Sequence, residues 1–542
     1  MADAPDLRSA AGSIGDEESL RLLTQLVAAA PTNLEDNGRK QWEKPNYLRT
    51  ADVIARAARA AGLATRIYDP VVAGDVPGEW HGLNRPNVIV DLAVGAPETV
   101  LILAHYDVVP VPAEQLARWK SPPHTLTLRA DGRLYGRGAA DDLGSGVVAS
   151  ILAMKRLAAS ASPSPRNVRL LVCCDEETGG AGGIEAILAH DSGLAADDPD
   201  RVLRAEVALI PDGSPETTAG SSGVAVLYGG FTGPVALTEA LAYGRALNDL
   251  HGVARTWTSV YRSPDWPDRH APEPVLTGRS TLTKFEVVAD GDGPGPGRRL
   301  RVVHTENDAA NQIAQAVSFF VDASAEEAET LRAQFAGLVP PPFRVAVGGP
   351  TAVADVPGTQ RLQIIGESGH GGYPHRAHNP VPVALVVLRA AIDREWIRGT
   401  TTGSASYVVD VRLPPEMELE DGLRPAMAYV RSWIAAHAPT ATIDAPPSRA
   451  RAGYAIPPDH PAAVKLERIL RDTLGAHGIT GEYGGTDASA LRDVRTPSGA
   501  KLPALVFGCM DLDSHIHEAE ESADPRKIAG VAASIDRFVR EP

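Results

Sequence analysis

Five short stretches of this chain place carboxylates and imidazoles where apolar runs end. "LILAHYDVVP" sets His105 and Asp107 two apart, "GRGAADDLG" sets Asp141 and Asp142 in a glycine-rich turn, and "CCDEETGG" supplies Asp175, Glu176 and Glu177. "LIPDGS" supplies Asp212, and "DSHIHEAEES" supplies His515 and His517. Singly, each has a plain explanation: a histidine at a strand end is most often hydrogen-bonded scaffold, and an acidic turn is most often solvated. Converging on one place, such groups would repel one another or lose solvation without a cation, so one or two metal ions are the economical explanation. The His-x-Asp pair adds a physical reason, because a metal-bound imidazole usually donates its second ring N–H to a carboxylate. A phosphate cradle is the competing reading of the glycine-rich turn. It fails because the turn has no G-K-[ST] and presents two carboxylates where an anion would lie.

The elements that must position these groups follow from periodicity. Thr99 to Ala104 is an apolar, partly β-branched run opened by Gly95 and Pro97 and closed by Pro110, which predicts a strand delivering His105 at its end. Over the first 220 residues helical patterns ("ESLRLLTQLVAAA", "YLRTADVIARAARAAG" stopped by Gly62, "GSGVVASILAMKRLAA") alternate with strand patterns ("NVIVDLAV", "TVLILAH", "NVRLLVCCDEE", "EVALIPD"). The alternation predicts an α/β fold, a mixed sheet with helices on both faces, whose ligands gather at the carboxyl ends of the strands.

From 221 to 454 the grammar changes to strands ("TKFEVVAD", "RRLRVVHT", "AVSFFVDA", "RLQIIGES", "SASYVVDVRL"), two helices ("SAEEAETLRAQFAGL", "PVPVALVVLRAAIDREW") and a Gly/Pro hairpin or loop at "GDGPGPG". This is an α+β pattern. Over 455–542 the α/β pattern returns. Its last helix is begun by Asp524 and Pro525, with Ile528, Val531, Ile535 and Phe538 on one face. The expected layout is one α/β domain, in two parts at 1–220 and 455–542, interrupted by an inserted α+β domain at 221–454.

Composition narrows the partners. A formal charge of −16 over 542 residues argues against nucleic acid or an anionic membrane, both of which need a basic face. The opening residues lack a basic n-region and an apolar h-region, and no stretch approaches the ~18 apolar residues of a membrane span, so a cytoplasmic protein is expected. Cys173, Cys174 and Cys509 cannot form a disulfide framework and read as buried core thiols.

In their order and spacing the motifs resemble the di-zinc peptidase family that includes aminoacylase, carnosine dipeptidase, succinyl-diaminopimelate desuccinylase and bacterial dipeptidase V. The stretches that carry the resemblance run from "RPNVIVDL" through "HYDVVP", "RWKSPPHTLTLRADGRLYGRGAADD", "DEETGG", "GESGHGGYPHRAHNP", "DVRLPPE" and "GGTDAS" to "HEAEESADPRK". The resemblance implies two divalent metal ions, zinc first, with cobalt or manganese as alternatives. It implies that His105 and Asp212 bind one ion, that Glu177 and His517 bind the other, and that Asp141 bridges them through a turn with a cis Asp141–Asp142 bond. Asp107 would then orient His105, and Glu176 would be the general base. From the inserted domain, His370 would hydrogen-bond the oxyanion. Arg412, Asn311 and the "GGTD" loop, with Gly485 and Thr486, would bind substrate, although spacing equally allows Arg412 a structural pairing with Asp410.

Two departures matter. Leu143 stands where relatives commonly carry lysine, and "HIHEAEE" replaces the usual His-x-x-Asn-Glu, so His515 competes with His517. The implied activity is hydrolysis of an amide bond in a dipeptide or short peptide by a dinuclear-metal-activated water, in a monomer or homodimer. An N-acyl-amino-acid deacylase is the alternative within the class, and a non-catalytic binding protein retaining the fold is the remote one.

Overall fold

The computed structural model describes residues 6–542 except 33, 37, 38, 42–44, 76–83, 112, 196, 263–274, 290–297, 308, 309, 311, 349–357, 373, 375, 376, 399, 400, 448, 485 and 512. The chain divides into two compact units. The first is Met1–Ser221, Tyr454–Gly481 and Thr486–Pro542; the second is Ser222–Gly453 and Glu482–Gly485.

The first unit is built on a nine-stranded mixed sheet. Its strands are β1 (Ala64–Tyr68), β2 (Asn87–Leu92), β3 (Thr99–His105), β4 (Asn167–Cys173), β5 (Val207–Ile210), β6 (Thr217–Ser221), β7 (Tyr454–Ala455), β8 (Ile479–Glu482) and β9 (Ala504–Val506). They run in the order β7-β6-β9-β5-β3-β4-β2-β1, with β8 also beside β6. The four central strands β9, β5, β3 and β4 are mutually parallel, and β2 and β6 flank them antiparallel. Burial explains the apolar runs: six of the seven residues of β3 are buried. Parallel strands covered on both faces have no polar face to show.

Helices α1 (Glu17–Ala29), α2 (Pro45–Ala60), α3 (Ala149–Ala159), α4 (Ile184–Ser192), α5 (Pro461–Leu474) and α6 (Pro525–Arg540) belong to this unit. The caps follow from the sequence. Asp524 accepts the Arg526 N–H ahead of Pro525 at the first position of α6, whose Ile528, Val531, Ile535 and Phe538 are buried. The three cysteines are buried and unbridged. Among the described residues no helix is long and apolar enough to cross a membrane.

The second unit holds a ten-stranded sheet. Its path runs Arg344–Val347, Gln360–Ile365, Ala316–Asp322, Arg299–Glu306, Arg279–Ala289, Thr401–Leu413, Gly223–Phe231 and Ala441–Ile443. Every pairing in it is antiparallel. Arg279–Ala289 and Arg299–Glu306 pair around the "GDGPGPG" stretch, which lies outside the described residues. Beside the two expected helices, now Ala325–Ala336 and Pro380–Asp393, stand two that periodicity did not announce, Leu237–Ala254 and Leu419–His437. Aromatic rings tie helix to sheet: Tyr243 meets Tyr407 edge-on at 5.0 Å, and Tyr407 stacks on Phe285 at 5.4 Å.

Candidate metal centre

The four parallel strands of the first unit end on one edge of the sheet, and the acidic and imidazole groups of the sequence gather there. His105 closes β3. Its Nδ1 hydrogen-bonds the Asp107 carbonyl oxygen at 3.0 Å and lies 3.4 Å from the Asp107 carboxylate. A donor role at Nδ1 leaves Nε2 as the free ligand atom. Nε2 lies 3.5 Å from Asp212 Oδ2 and 3.6 Å from Asp142 Oδ1. Burial opposes charge on His105, but the carboxylates of Asp107, Asp212 and Asp142 outweigh it and hold its pKa well above the ordinary range.

The turn after β4 shows how adjacent glutamates come to face different ways. Asp175 takes φ 66°, in the left-handed region, and its carboxylate pairs with the buried Arg85 Nε at 2.9 Å. Glu176–Thr178 then winds into a short 3₁₀ turn. The Asp107 carboxylate accepts the backbone N–H groups of Glu176 and Glu177 at 3.0 and 3.1 Å. Glu177 Oε1 meets His517 Nε2 at 3.0 Å. Among the described residues His515 pairs with Glu518, at 4.0 Å, whereas His517 reaches Glu177, so the structure brings His517 rather than His515 to the cluster.

Burial pushes the Glu176 carboxyl well above the usual range; His105 works against the shift, and the charges of Asp487, Glu177 and Asp212 add to it. On Glu177 burial also acts upward, but His517 overcomes it and lowers the pKa. His517 keeps 43% of its side chain exposed. Its desolvation is outweighed by Glu177 and Asp141, and its pKa rises to about 9.

Asp141 and Asp142 open a π-helical turn, Asp141–Val148, that runs on into α3. The Leu143 N–H reaches the Gly138 carbonyl at 3.0 Å and the Ser145 N–H reaches the Ala140 carbonyl at 2.9 Å, both one residue wider than α-helical spacing. Gly144 is required here, since a Cβ would fall 2.1 Å from the Ala139 carbonyl oxygen. The expected cis bond between Asp141 and Asp142 is a correction. The cis bonds among the described residues are Pro341–Pro342 and Ala445–Pro446. The wide-turn hydrogen bonds carry a trans backbone through the aspartate pair, and this winding brings Asp142, not Asp141, within reach of His105.

Asp141 Oδ1 is buried and, among the described residues, has no hydrogen-bond partner. Burial, and then the charge of Asp212, raise the Asp141 pKa; burial and Asp141 raise that of Asp142 well above its ordinary value. Oxygen and nitrogen donors packed this way suit a divalent cation, which would take up the orphaned oxygen and relieve the repulsion. His105, Asp142 and Asp212 are close enough to share one ion.

The remaining candidates are placed as follows. Thr486 caps a 3₁₀ turn, accepting the Ala488 N–H at 3.3 Å. Gly485 and Asn311 lie outside the described residues. In the second unit the backbone of His370 pairs with Gln312, the neighbour of Asn311. Also in that unit, Arg412 is buried, with its fork on Asp410 at 2.7 and 2.8 Å and Nη1 on the Tyr483 carbonyl at 3.1 Å. The structural pairing that spacing allowed is therefore present, and it occupies the face that would grip a substrate carboxylate.

Sequence reasoning missed Asp142 as a partner of His105, Arg85 behind Asp175, and the arginines that hold the last loop. The doubled aspartate was the available signal for the first.

Comparison with known proteins shows the family. The model of peptidase family M20/M25/M40 matches residues 101–541. Over 173 residues the chain is 43% identical to the succinyl-diaminopimelate desuccinylase of Acidovorax ebreus, covering 31% of this chain and 39% of that protein. Over 173 residues it is 25% identical to an uncharacterized metallohydrolase of Methanocaldococcus jannaschii, covering 32% and 40%. The matched segment thus spans about two-fifths of the length of these relatives. Human carnosine dipeptidase 1 superposes with a TM-score of 0.57 at 14% identity over 99% of both chains. The dipeptidase Dug1p of Saccharomyces cerevisiae gives 0.53 at 14% identity over 99% of both. At such identities the likeness concerns the fold. The family match spans most of the chain, and the chain belongs to peptidase family M20/M25/M40.

Proposed function

We propose that the protein is a metal-dependent hydrolase that cleaves the amide bond of a dipeptide or short peptide. The observation that carries this reading is the convergence of His105, Asp142 and Asp212 beside Asp141, whose buried Oδ1 has no partner among the described residues. In this reading His105 and Asp212, with Asp142 beside them, would hold one divalent ion. Glu177 and His517 would hold a second, and Asp141 would be available to either. Zinc suits the mixed nitrogen and oxygen donors, and cobalt or manganese would fit the same set. Bound there, the ions supply Lewis acidity and an activated water at neutral pH.

The chain's own groups then move the proton. Glu176 lies within the electrostatic reach of His105, Asp487, Glu177 and Asp212, and a carboxylate there would accept a proton from water and return it to the leaving amine. Asp107 holds Glu176 in place through the backbone.

A second reading, hydrolysis of an N-acyl amino acid, is supported by the desuccinylase relative. One assay separates them. Metal-free protein is reloaded with zinc, cobalt or manganese and offered dipeptides and N-acyl amino acids, with amine release as the readout. Release from dipeptides is expected. Release from N-acyl amino acids alone would establish the second reading, and none from either by metal-loaded protein would end the amide-hydrolase proposal.

A further inference from the structure

Arg129, Arg133 and Arg137 recur every four residues in "LRADGRLYGRG", and each bonds an acidic residue flanking the two histidines of the last loop. Arg133 Nη2 meets Asp511 Oδ1 at 2.9 Å, and Arg137 Nη1 meets Glu521 Oε2 at 2.7 Å in full burial. Arg129 grips both carboxylate oxygens of Glu520, with Nη2 to Oε1 at 2.9 Å. The spacing of four is not helical here. Thr127–Leu128 and Leu134–Tyr135 form an antiparallel pair, and Leu134–Tyr135 also pairs with Ser522–Ala523, so the arginines are laced to the loop by backbone as well.

The loop needs holding. His515, His517 and Glu520 take φ values of 50°, 63° and 69°, a region that non-glycine residues keep only when their surroundings over-determine it. The surroundings do so. Gln115 Nε2 donates to the His517 carbonyl at 3.1 Å while its Oε1 accepts from Arg137 Nη2 at 2.9 Å. The Lys120 N–H donates to Glu520 Oε1 at 2.7 Å. Glu520 is the residue that departs from the His-x-x-Asn-Glu pattern, and the added charge is met by Arg129.

We propose that Arg129 and Gln115, backed by Arg137, are positioning residues that fix the backbone of His517 so that its imidazole meets Glu177, and that they thereby set the affinity of the metal position these two residues form. The inference rests on the metal reading proposed above, and its test keeps the two apart. The metal-free full-length chain is titrated with zinc by calorimetry, and thermal melting is followed by circular dichroism in parallel. His517→Ala and His105→Ala identify the two zinc equivalents. Arg129→Gln and Gln115→Leu should each weaken the equivalent lost in His517→Ala by about 10- to 100-fold, the usual cost of removing an outer partner of a ligand. They should leave the other equivalent unchanged, and Arg129→Lys should recover part of the loss. Wild-type zinc affinity in both variants, with His517→Ala still losing one equivalent, overturns the proposal. So does equal weakening of both equivalents in step with a fall in melting temperature, the mark of a merely structural role. If His517→Ala retains both equivalents, the metal reading itself fails.

Discussion

Asp107 accepts the backbone N–H of Glu176 at 3.0 Å, and the same carboxylate takes the N–H of Glu177 at 3.1 Å. One side chain at the end of β3 thus sets the turn that follows β4. Asp107→Asn keeps the shape but offers a single acceptor oxygen and turns an NH₂ toward a backbone donor. An unsatisfied buried donor costs ~1–3 kcal/mol, so a lower melting temperature is expected, with zinc affinity reduced about 10- to 100-fold through the displaced Glu177. Wild-type melting and zinc titration in the variant would show that the carboxylate is dispensable.

Glu176→Gln preserves size and hydrogen bonding but cannot accept a proton. In the proposed reaction kcat should fall at least ~10²-fold, the lower end for general acid–base catalysis, with metal content unchanged. Elemental analysis of the purified variant beside its steady-state kinetics decides the point. Metal lost in proportion to activity would make Glu176 a ligand.

Removing metal should abolish hydrolysis and leave the chain folded. The proposed ligands hang from a nine-stranded sheet whose buried strands make their own core, unlike a small module that metal nucleates. Chelation followed by far-UV circular dichroism and amine-release assay tests both halves. Unfolding on chelation would contradict the first half, and full activity in chelated protein would contradict the second.

What was legible in the sequence was local. The apolar run before His105 announced a strand, and Asp524-Pro525 announced a helix start, because burial and capping are read from neighbours in the chain. Helix Leu419–His437 was hidden by Gly422 and Pro425, both helix-weakening residues. Gly422 is there for packing, since a Cβ would come 2.1 Å from Leu413 Cδ2. Long-range partners were not legible. Nothing near Asp107 announces that its carboxylate serves amides some seventy residues away. Nothing in "LRADGRLYGRG" says that its arginines answer acids beyond residue 510. The backbone winding through Asp141 and Asp142 decides which carboxylate faces His105, and side-chain chemistry alone cannot distinguish two adjacent aspartates.

The ion pair of Glu520 and Arg129 yields a pH signature. The hydrogen bonds from Arg129 lower the Glu520 pKa against modest desolvation, with help from the Lys120 amide, taking it from 4.5 down to about 2. A carboxylate whose folded pKa is depressed binds fewer protons when folded than when unfolded over that interval. Its stabilisation is therefore complete above the unfolded value near 4.5 and fades as the pH falls through the folded value near 2. Melting temperatures of metal-free wild-type protein and Glu520→Gln, measured across this range, should differ most near neutrality. There the charged hydrogen bonds are worth ~1.5–3 kcal/mol. The two should converge toward the acid end. Both side chains are largely shielded, at 20% and 17% exposure, so added salt should narrow the gap only slightly. A gap that is flat or widens toward acid would mean that the Glu520 charge is not what Arg129 holds.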